Sequence, residues 1–269
     1  MPLWTLFGLR AGRATTRWPD GGDDGQSDVV GMPRFQPERC LSGCRECVDA
    51  CLPGAITATG GEGEASIALD YGRCIACRMC IDSCPASALT ASGDWAFGVR
   101  DRRDLRTANI GDGGGDEPAE RLRAGIRRAF GRSLHIRHVD AGSCNGCESE
   151  LQALNNPFYN LHRLGIFFTA SPRHADVLLV TGTVTYAMRD ALRATYEAMP
   201  EPRWVLASGS CAVSGGATAG TYASGRGADE VVPVDVYLPG CPPNPAALMH
   251  ALLLLVERAE QRVHRGRVS

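Results

Sequence analysis

A chain of 269 residues with 44% hydrophobic content is long enough for two modest domains with real cores. The net charge of −2, with arginine as the only side-chain cation besides histidine, excludes a broadly basic nucleic-acid surface. The longest apolar run, Ala246 to Val256, falls short of the about 20 residues that a bilayer span requires, and the start has no small-residue cleavage site.

The sequence therefore reads as a soluble or peripherally bound protein. Its twelve cysteines, without an export signal, point to metal rather than disulfides. They fall into three groups of four.

In chain order, residues 1–36 form an extension. Leu3, Trp4, Leu6 and Phe7 predict a short apolar helix that lies on a partner, on a membrane surface or on its own domain. The Gly/Asp run Gly21 to Gln26 is expected to be flexible.

Residues 37–97 contain an internal repeat. Cys44, Cys47 and Cys51 recur as Cys77, Cys80 and Cys84, an offset of 33 residues, and Ala55-Ile56 recurs as Ala88-Leu89. Residues 66–69 predict a short strand between the copies, after a turn at Gly60–Gly63. Residues 98–133 mix Arg and Asp, pass through a Gly/Asp linker at 111–116, and predict a short basic helix over 119–130. The domain boundary is placed there.

Residues 134–269 alternate strands and helices. Strands are predicted over 134–139, 165–170, 177–180, 204–207 and 234–238, with helices over 149–154, 186–199 and 245–260. This alternation predicts an α/β domain with an open parallel sheet. Sites in such sheets form beyond the carboxyl ends of the strands, and Cys144, Cys211 and Cys241 each follow a predicted strand.

The run Cys74-x2-Cys77-x2-Cys80-x3-Cys84-Pro85 is the two-cluster bacterial ferredoxin pattern, whose fourth cysteine ligates the other cluster. The first copy departs from it. Three residues separate Cys40 from Cys44, an insertion that adds a bulge which Ser42-Gly43 can supply, and Leu52 stands where proline is expected. The pattern assigns Cys40, Cys44, Cys47 and Cys84 to one 4Fe-4S cluster, and Cys74, Cys77, Cys80 and Cys51 to another.

Cys144-x2-Cys147, Cys211 and Cys241 have weaker spacing logic, and zinc in a four-thiolate site remains open for them. His135, His138, His162, His174, His250 and His264 form no ligand-spaced set. Neither Gly111–Gly115 nor Gly209–Gly227 carries a nucleotide-binding fingerprint.

Four segments carry a resemblance: His138-Val-Asp-Ala-Gly-Ser-Cys-Asn-Gly-Cys147-Glu-Ser-Glu150, Ala175-Asp-Val-Leu-Leu-Val-Thr-Gly182, the Gly-rich loop around Cys211, and Pro239-Gly-Cys-Pro-Pro243. With them, residues 134–256 resemble the small subunit of energy-converting, membrane-bound NiFe hydrogenases of the formate hydrogenlyase-like branch. That family shares ancestry with the small connecting subunit of respiratory complex I, which carries two adjacent cysteines. The spaced pair Cys144 and Cys147 favours the hydrogenase branch. Residues 1–97, including Thr15-Thr16-Arg17-Trp18-Pro19, resemble the two-cluster ferredoxin-like subunit of the same complexes.

The resemblance implies a 2(4Fe-4S) ferredoxin-like α+β domain over 37–97, fused to a flavodoxin-like open parallel-sheet α/β domain over 134–269. It implies three 4Fe-4S clusters, the third held by Cys144, Cys147, Cys211 and Cys241, with Thr181, Gly182 and Thr183 in a loop beside it. It implies an electron-transfer subunit at the inner face of the cell membrane. Its partners would be a hydrogenase large subunit, either NiFe-bearing or a nickel-free homologue, other subunits of a membrane-bound complex, and an electron donor such as a dehydrogenase. Nucleic acid is not among them.

Glu150 is read two ways, as a buried proton-relay carboxylate or as a helix N-terminal glutamate favoured by the dipole. Asp140 is equally ambiguous. No residue is expected to do bond chemistry on this chain. Two alternatives stay open: a complex I-like NADH/quinone oxidoreductase-type module without nickel, and a ferredoxin-like carrier with a zinc-stabilised binding domain.

Overall fold

A computed structural model describes residues 3–19, 21–59, 67–107, 133–256, 261–263 and 266–267. The Gly60–Gly63 turn, the Gly/Asp linker and the basic helix over 119–130 lie outside the described residues.

The chain opens with helix α1 (Leu3–Ala11), none of whose residues is buried. It does not pack on its own domain. The segment after it does. Thr16 N–H donates to the Phe158 carbonyl at 2.9 Å, Thr15 Oγ1 donates to the Pro157 carbonyl at 2.8 Å, and Gln26 Nε2 donates to the Tyr159 hydroxyl at 2.8 Å. The Gly/Asp run, expected to be flexible, is instead a pinned turn. Asp23 and Asp24 accept from the backbone N–H groups of Gly25 and Gln26. Asp beside Gly is the chemistry of Asx turns as much as of linkers.

The cysteine repeat folds into two interlocked halves. Strand β1 (Arg34–Phe35) and helix α2 (Glu46–Asp49) lead to β2 (Ile56–Ala58); β3 (Ile67–Leu69) and helix α3 (Met79–Asp82) lead to β4 (Leu89–Thr90). Each strand pairs with one from the other copy. β1 runs antiparallel to β4, with Phe35 opposite Leu89, and β2 runs antiparallel to β3, with Ile56 opposite Leu69. Neither half can close its sheet alone. The unit therefore starts at Arg34, three residues before the boundary read from sequence; a two-residue strand carries no periodicity to detect.

The chain also stays packed well past residue 97. Val99 pairs with Tyr237, each N–H donating to the other's carbonyl at 2.9 and 2.8 Å. Leu105 is fully buried, and Arg102 bridges Asp70 at 2.7 Å. One core runs through both units, joining Tyr71, Phe97 and Leu105 to Val139, Val180, Val205 and Tyr237.

The second unit is a five-stranded parallel sheet of β5 (Leu134–Asp140), β6 (Ile166–Phe168), β7 (Val177–Thr181), β8 (Trp204–Ser208) and β9 (Val236–Leu238), in spatial order β6-β5-β7-β8-β9. This is the flavodoxin-like 2-1-3-4-5 order, with its switch point between β5 and β7. Every residue of β7 and β8 is buried, as expected of central parallel strands covered on both faces. The helices are α4 (Gly146–Ala153), α5 (Arg189–Glu197), α6 (Ser210–Ser214) and α7 (Pro245–Leu255). A short hairpin, β10 (Arg262–Val263) and β11 (Gly266–Arg267), ends the described chain.

Helix α7 is apolar all round and entirely buried. Asn244 caps it by accepting from Ala247 N–H at 2.8 Å, with Pro245 in the first turn. Trp95 meets His250 of α7 edge-on at 6.2 Å, and Trp18 and Trp95 pack on the same core. The extension thus helps to roof this helix. Leu252 has no exposed surface. Replacing it with alanine should cost about 2–5 kcal/mol of stability, read as a lower urea midpoint at unchanged slope.

Candidate metal centres

The twelve cysteines are all free thiols and gather as three quartets. Cys40, Cys44, Cys47 and Cys84 line one open cavity of about 330 Å³. Cys51, Cys74, Cys77 and Cys80 line a second of about 490 Å³. Cys51 and Cys84 have changed places: each leaves the helix that carries its own copy and faces the other copy's thiols. The repeat is preserved atom for atom here. Ala55 N–H donates to Cys51 Sγ and Ala88 N–H to Cys84 Sγ, both at 3.2 Å. Ala76 N–H donates to Cys74 Sγ at 3.4 Å.

The extra residue of the first copy is absorbed by a turn, with Cys44 N–H donating to Leu41 O at 3.2 Å and Gly43 at φ +74°. The missing proline is displaced by one position. Leu52 is exposed, while Pro53 is buried and lines the second cavity as Pro85 lines the first.

The third quartet sits at the carboxyl ends of the parallel strands. Cys144 follows β5, Cys147 lies in the first turn of α4, Cys211 lies in α6 after β8, and Cys241 follows β9. Glycine shapes the cradle. Gly209 holds φ +89°, and a Cβ there would stand 2.7 Å from Cys147 Sγ; at Gly216 a Cβ would stand 2.9 Å from Cys211 Sγ. Cys144 and Cys241 are exposed, so this site opens to the surface. Cys241 also faces Cys77 and Cys74, so the second and third quartets abut.

Burial, and then neighbouring thiolates, push the thiols up, Cys80 to about 12 and Cys47 and Cys211 to about 11; burial and then the Glu148 carboxylate push Cys147 further. For Cys74, burial does the same, to about 11, against an opposing backbone hydrogen bond. Such thiols stay protonated at neutral pH when bare. A metal core reverses that preference, because coordination deprotonates the ligand.

Among the described residues, no three His, Cys, Asp or Glu side chains close around a single ion. In the first two quartets the sulfurs instead line cavities. That arrangement fits a polynuclear iron–sulfur core, with backbone N–H groups already aimed at three of the sulfurs.

Beside Cys147 lies a polar chain that sequence reasoning missed. Glu148 accepts from Ser143 Oγ at 2.8 Å and from Thr181 Oγ1, whose oxygen meets His138 Nε2 at 2.8 Å. Thr181 is fully buried, and burial lowers the pKa of His138. Glu150, singled out from sequence, lies on the same helix near Tyr159, half-buried and raised by burial. Asp140 is a turn former, accepting from Gly142 and Ser143 N–H. The signal for Glu148 was its place directly after Cys147. Its partners could be found only once β5 and β7 were known to be neighbours.

Residues 144–255 match the family described as NADH ubiquinone oxidoreductase, 20 Kd subunit. Residues 39–88 of the chain match a 4Fe-4S dicluster domain. It is 41% identical over 149 residues to formate hydrogenlyase subunit 7 of Escherichia coli (strain K12), an overlap of 55% of this chain and 58% of that relative. The chain thus spans somewhat over half the length of this curated relative.

Among solved structures, it is similar to a chain of the membrane-bound sulfane sulfur reductase, an archaeal respiratory membrane complex (38% identity, 49% of this chain, 73% of that chain, TM-score 0.44). It is also similar to a chain of an NAD+-reducing NiFe hydrogenase (21% identity, 49% and 96%, TM-score 0.40). The resemblance read from the sequence holds, and so do the ferredoxin-type and parallel-sheet α/β fold classes.

Proposed function

We propose that this chain is the electron-transfer subunit of a membrane-associated NiFe hydrogenase complex of the formate hydrogenlyase type. The observation that carries this reading is the row of cysteine quartets in one chain: Cys40/Cys44/Cys47/Cys84, then Cys51/Cys74/Cys77/Cys80, then Cys144/Cys147/Cys211/Cys241. Three 4Fe-4S clusters, one per quartet, would supply one-electron transfer without bond chemistry. The polypeptide fixes their separation through the shared core. The exposed side of the third quartet is the face for a large catalytic subunit. The quartet of the first copy, at the other end of the row, is the face for a donor such as a dehydrogenase.

Glu148, hydrogen-bonded to Thr181 beside Cys147, is better placed than Glu150 to hold a proton at the large-subunit face. No described helix is long and apolar enough to cross a membrane, so attachment to the inner face of the cell membrane runs through partner subunits and surface contact. Helix α1, with Leu3, Trp4, Leu6, Phe7 and Leu9 all exposed and Arg10 in its last turn, is the part of the chain suited to that contact. Deleting residues 3–11 should reduce co-sedimentation with anionic phospholipid vesicles and leave iron content unchanged; equal co-sedimentation removes α1 from this role.

The functional test is to purify the complex that assembles on the tagged full chain, then assay nickel and hydrogen turnover. Nickel with hydrogen evolution from reduced donor supports the proposal. A nickel-free complex that reduces quinone moves it to the complex I-like reading.

A further inference from the structure

Between the second and third quartets stands one buried hydroxyl. Ser210 is 1% exposed, opens α6 and directly precedes Cys211. Its Oγ donates to the carbonyl of Cys74 at 2.7 Å. The same Oγ accepts from Gly240 N–H at 3.2 Å and lies 3.2 Å from the Gly240 carbonyl. Its own N–H donates to Gly240 O at 2.8 Å. One side chain therefore ties a ligand residue of the second quartet to the residue before Cys211 and to the residue before Cys241. The surroundings hold this knot in place, because Val99 and Tyr237 pair across the same junction and both units share one core.

We propose that Ser210 is the coupling residue between the second and third iron–sulfur sites. Its hydroxyl supplies a hydrogen-bonded route from the Cys74 backbone to the backbone carrying Cys211 and Cys241. This rests on the reading that both quartets hold 4Fe-4S clusters. Electronic coupling decays more steeply across empty space than along bonds, and a 2.7 Å hydrogen bond replaces a gap in the route. The step moves one electron: the donor site is oxidised, the acceptor site is reduced, no bond breaks, and the hydroxyl keeps its proton. The serine also fixes the separation of the two sites, so Ser210 positions as well as couples.

The test uses the full, iron-loaded chain as Ser210→Ala, Ser210→Thr and Ser214→Ala. Ser214 lies on the same helix and donates to the Ser210 carbonyl without reaching Cys74, which makes it the control. Iron per chain, the spin–spin splitting between reduced centres in EPR, and the inter-site exchange rate after rapid partial reduction are measured together. Ser210→Ala should keep its iron, lose or change the splitting, and slow exchange by about tenfold or more. The threonine and Ser214→Ala variants should match the parent.

Full iron with parental splitting and rate in Ser210→Ala overturns the proposal. So does selective loss of third-site iron with parental exchange in the remaining loaded molecules. If the alanine variant does not load, the threonine variant decides: parental exchange supports the coupling role, and slow exchange at full iron overturns it. A parent chain holding fewer than three clusters is a different result, since it defeats the cluster reading and leaves the Ser210 geometry untouched.

Discussion

Replacing Gly209 with alanine will empty the third quartet and leave the other two loaded. Two independent costs meet at this position. The backbone holds φ +89°, a conformation that L side chains rarely adopt, and a Cβ would stand 2.7 Å from Cys147 Sγ. The sulfur cannot retreat freely, because Cys147 sits in the first turn of α4, whose Leu151 is buried in the core. The displaced thiol is a proposed cluster ligand, so the strain should appear as lost metal more than as lost fold. Iron and acid-labile sulfide should fall by about a third, from roughly twelve to roughly eight atoms per chain. The EPR signals of the two ferredoxin-type centres should persist. Full iron in the variant would show that this loop does not shape the site.

Cys84→Ala should unload the quartet that Cys84 faces in space, not the one it adjoins in sequence. By position it follows Cys74, Cys77 and Cys80. In the fold it lines the cavity of Cys40, Cys44 and Cys47, and those thiols feel its charge. Cys51→Ala should do the reverse and unload the site of Cys74, Cys77 and Cys80. Each variant should lose about four irons, or retain a three-iron centre with its own EPR signature. The two losses should be spectroscopically distinct, because the first copy carries the extra residue at Gly43. Loss of the same centre from both variants would refute the exchange of cysteines between copies.

Much of this was readable from residues alone. The apolar runs 177–180 and 204–207 became strands β7 and β8, each one residue longer, because central parallel strands covered on both faces are buried throughout; 134–139 became β5, where Leu134, Ile136 and Val139 alone are buried among polar residues. The cysteine spacing foretold which thiols the fold brings together, since an offset of 33 residues forces two equivalent half-units that must interlock. What escaped was pairwise and long-range. β1 is two residues long, and only β4, more than fifty residues away, makes it a strand. The stretch after residue 97 looks like charged linker, yet Val99 pairs with Tyr237 and Gln261 reaches Asp104. The Glu148–Thr181–His138 chain needs β5 beside β7, an adjacency that the crossover order creates and sequence order conceals.

The proposed electron-transfer role requires each of the three thiolate quartets to hold an iron–sulfur core. Iron, acid-labile sulfide and zinc measured together on the anaerobically purified full chain test it most directly. About twelve irons, a matching number of sulfides and no zinc per chain is the predicted result. About eight irons with one bound zinc would contradict it and make the third quartet a structural zinc site on a ferredoxin-like carrier.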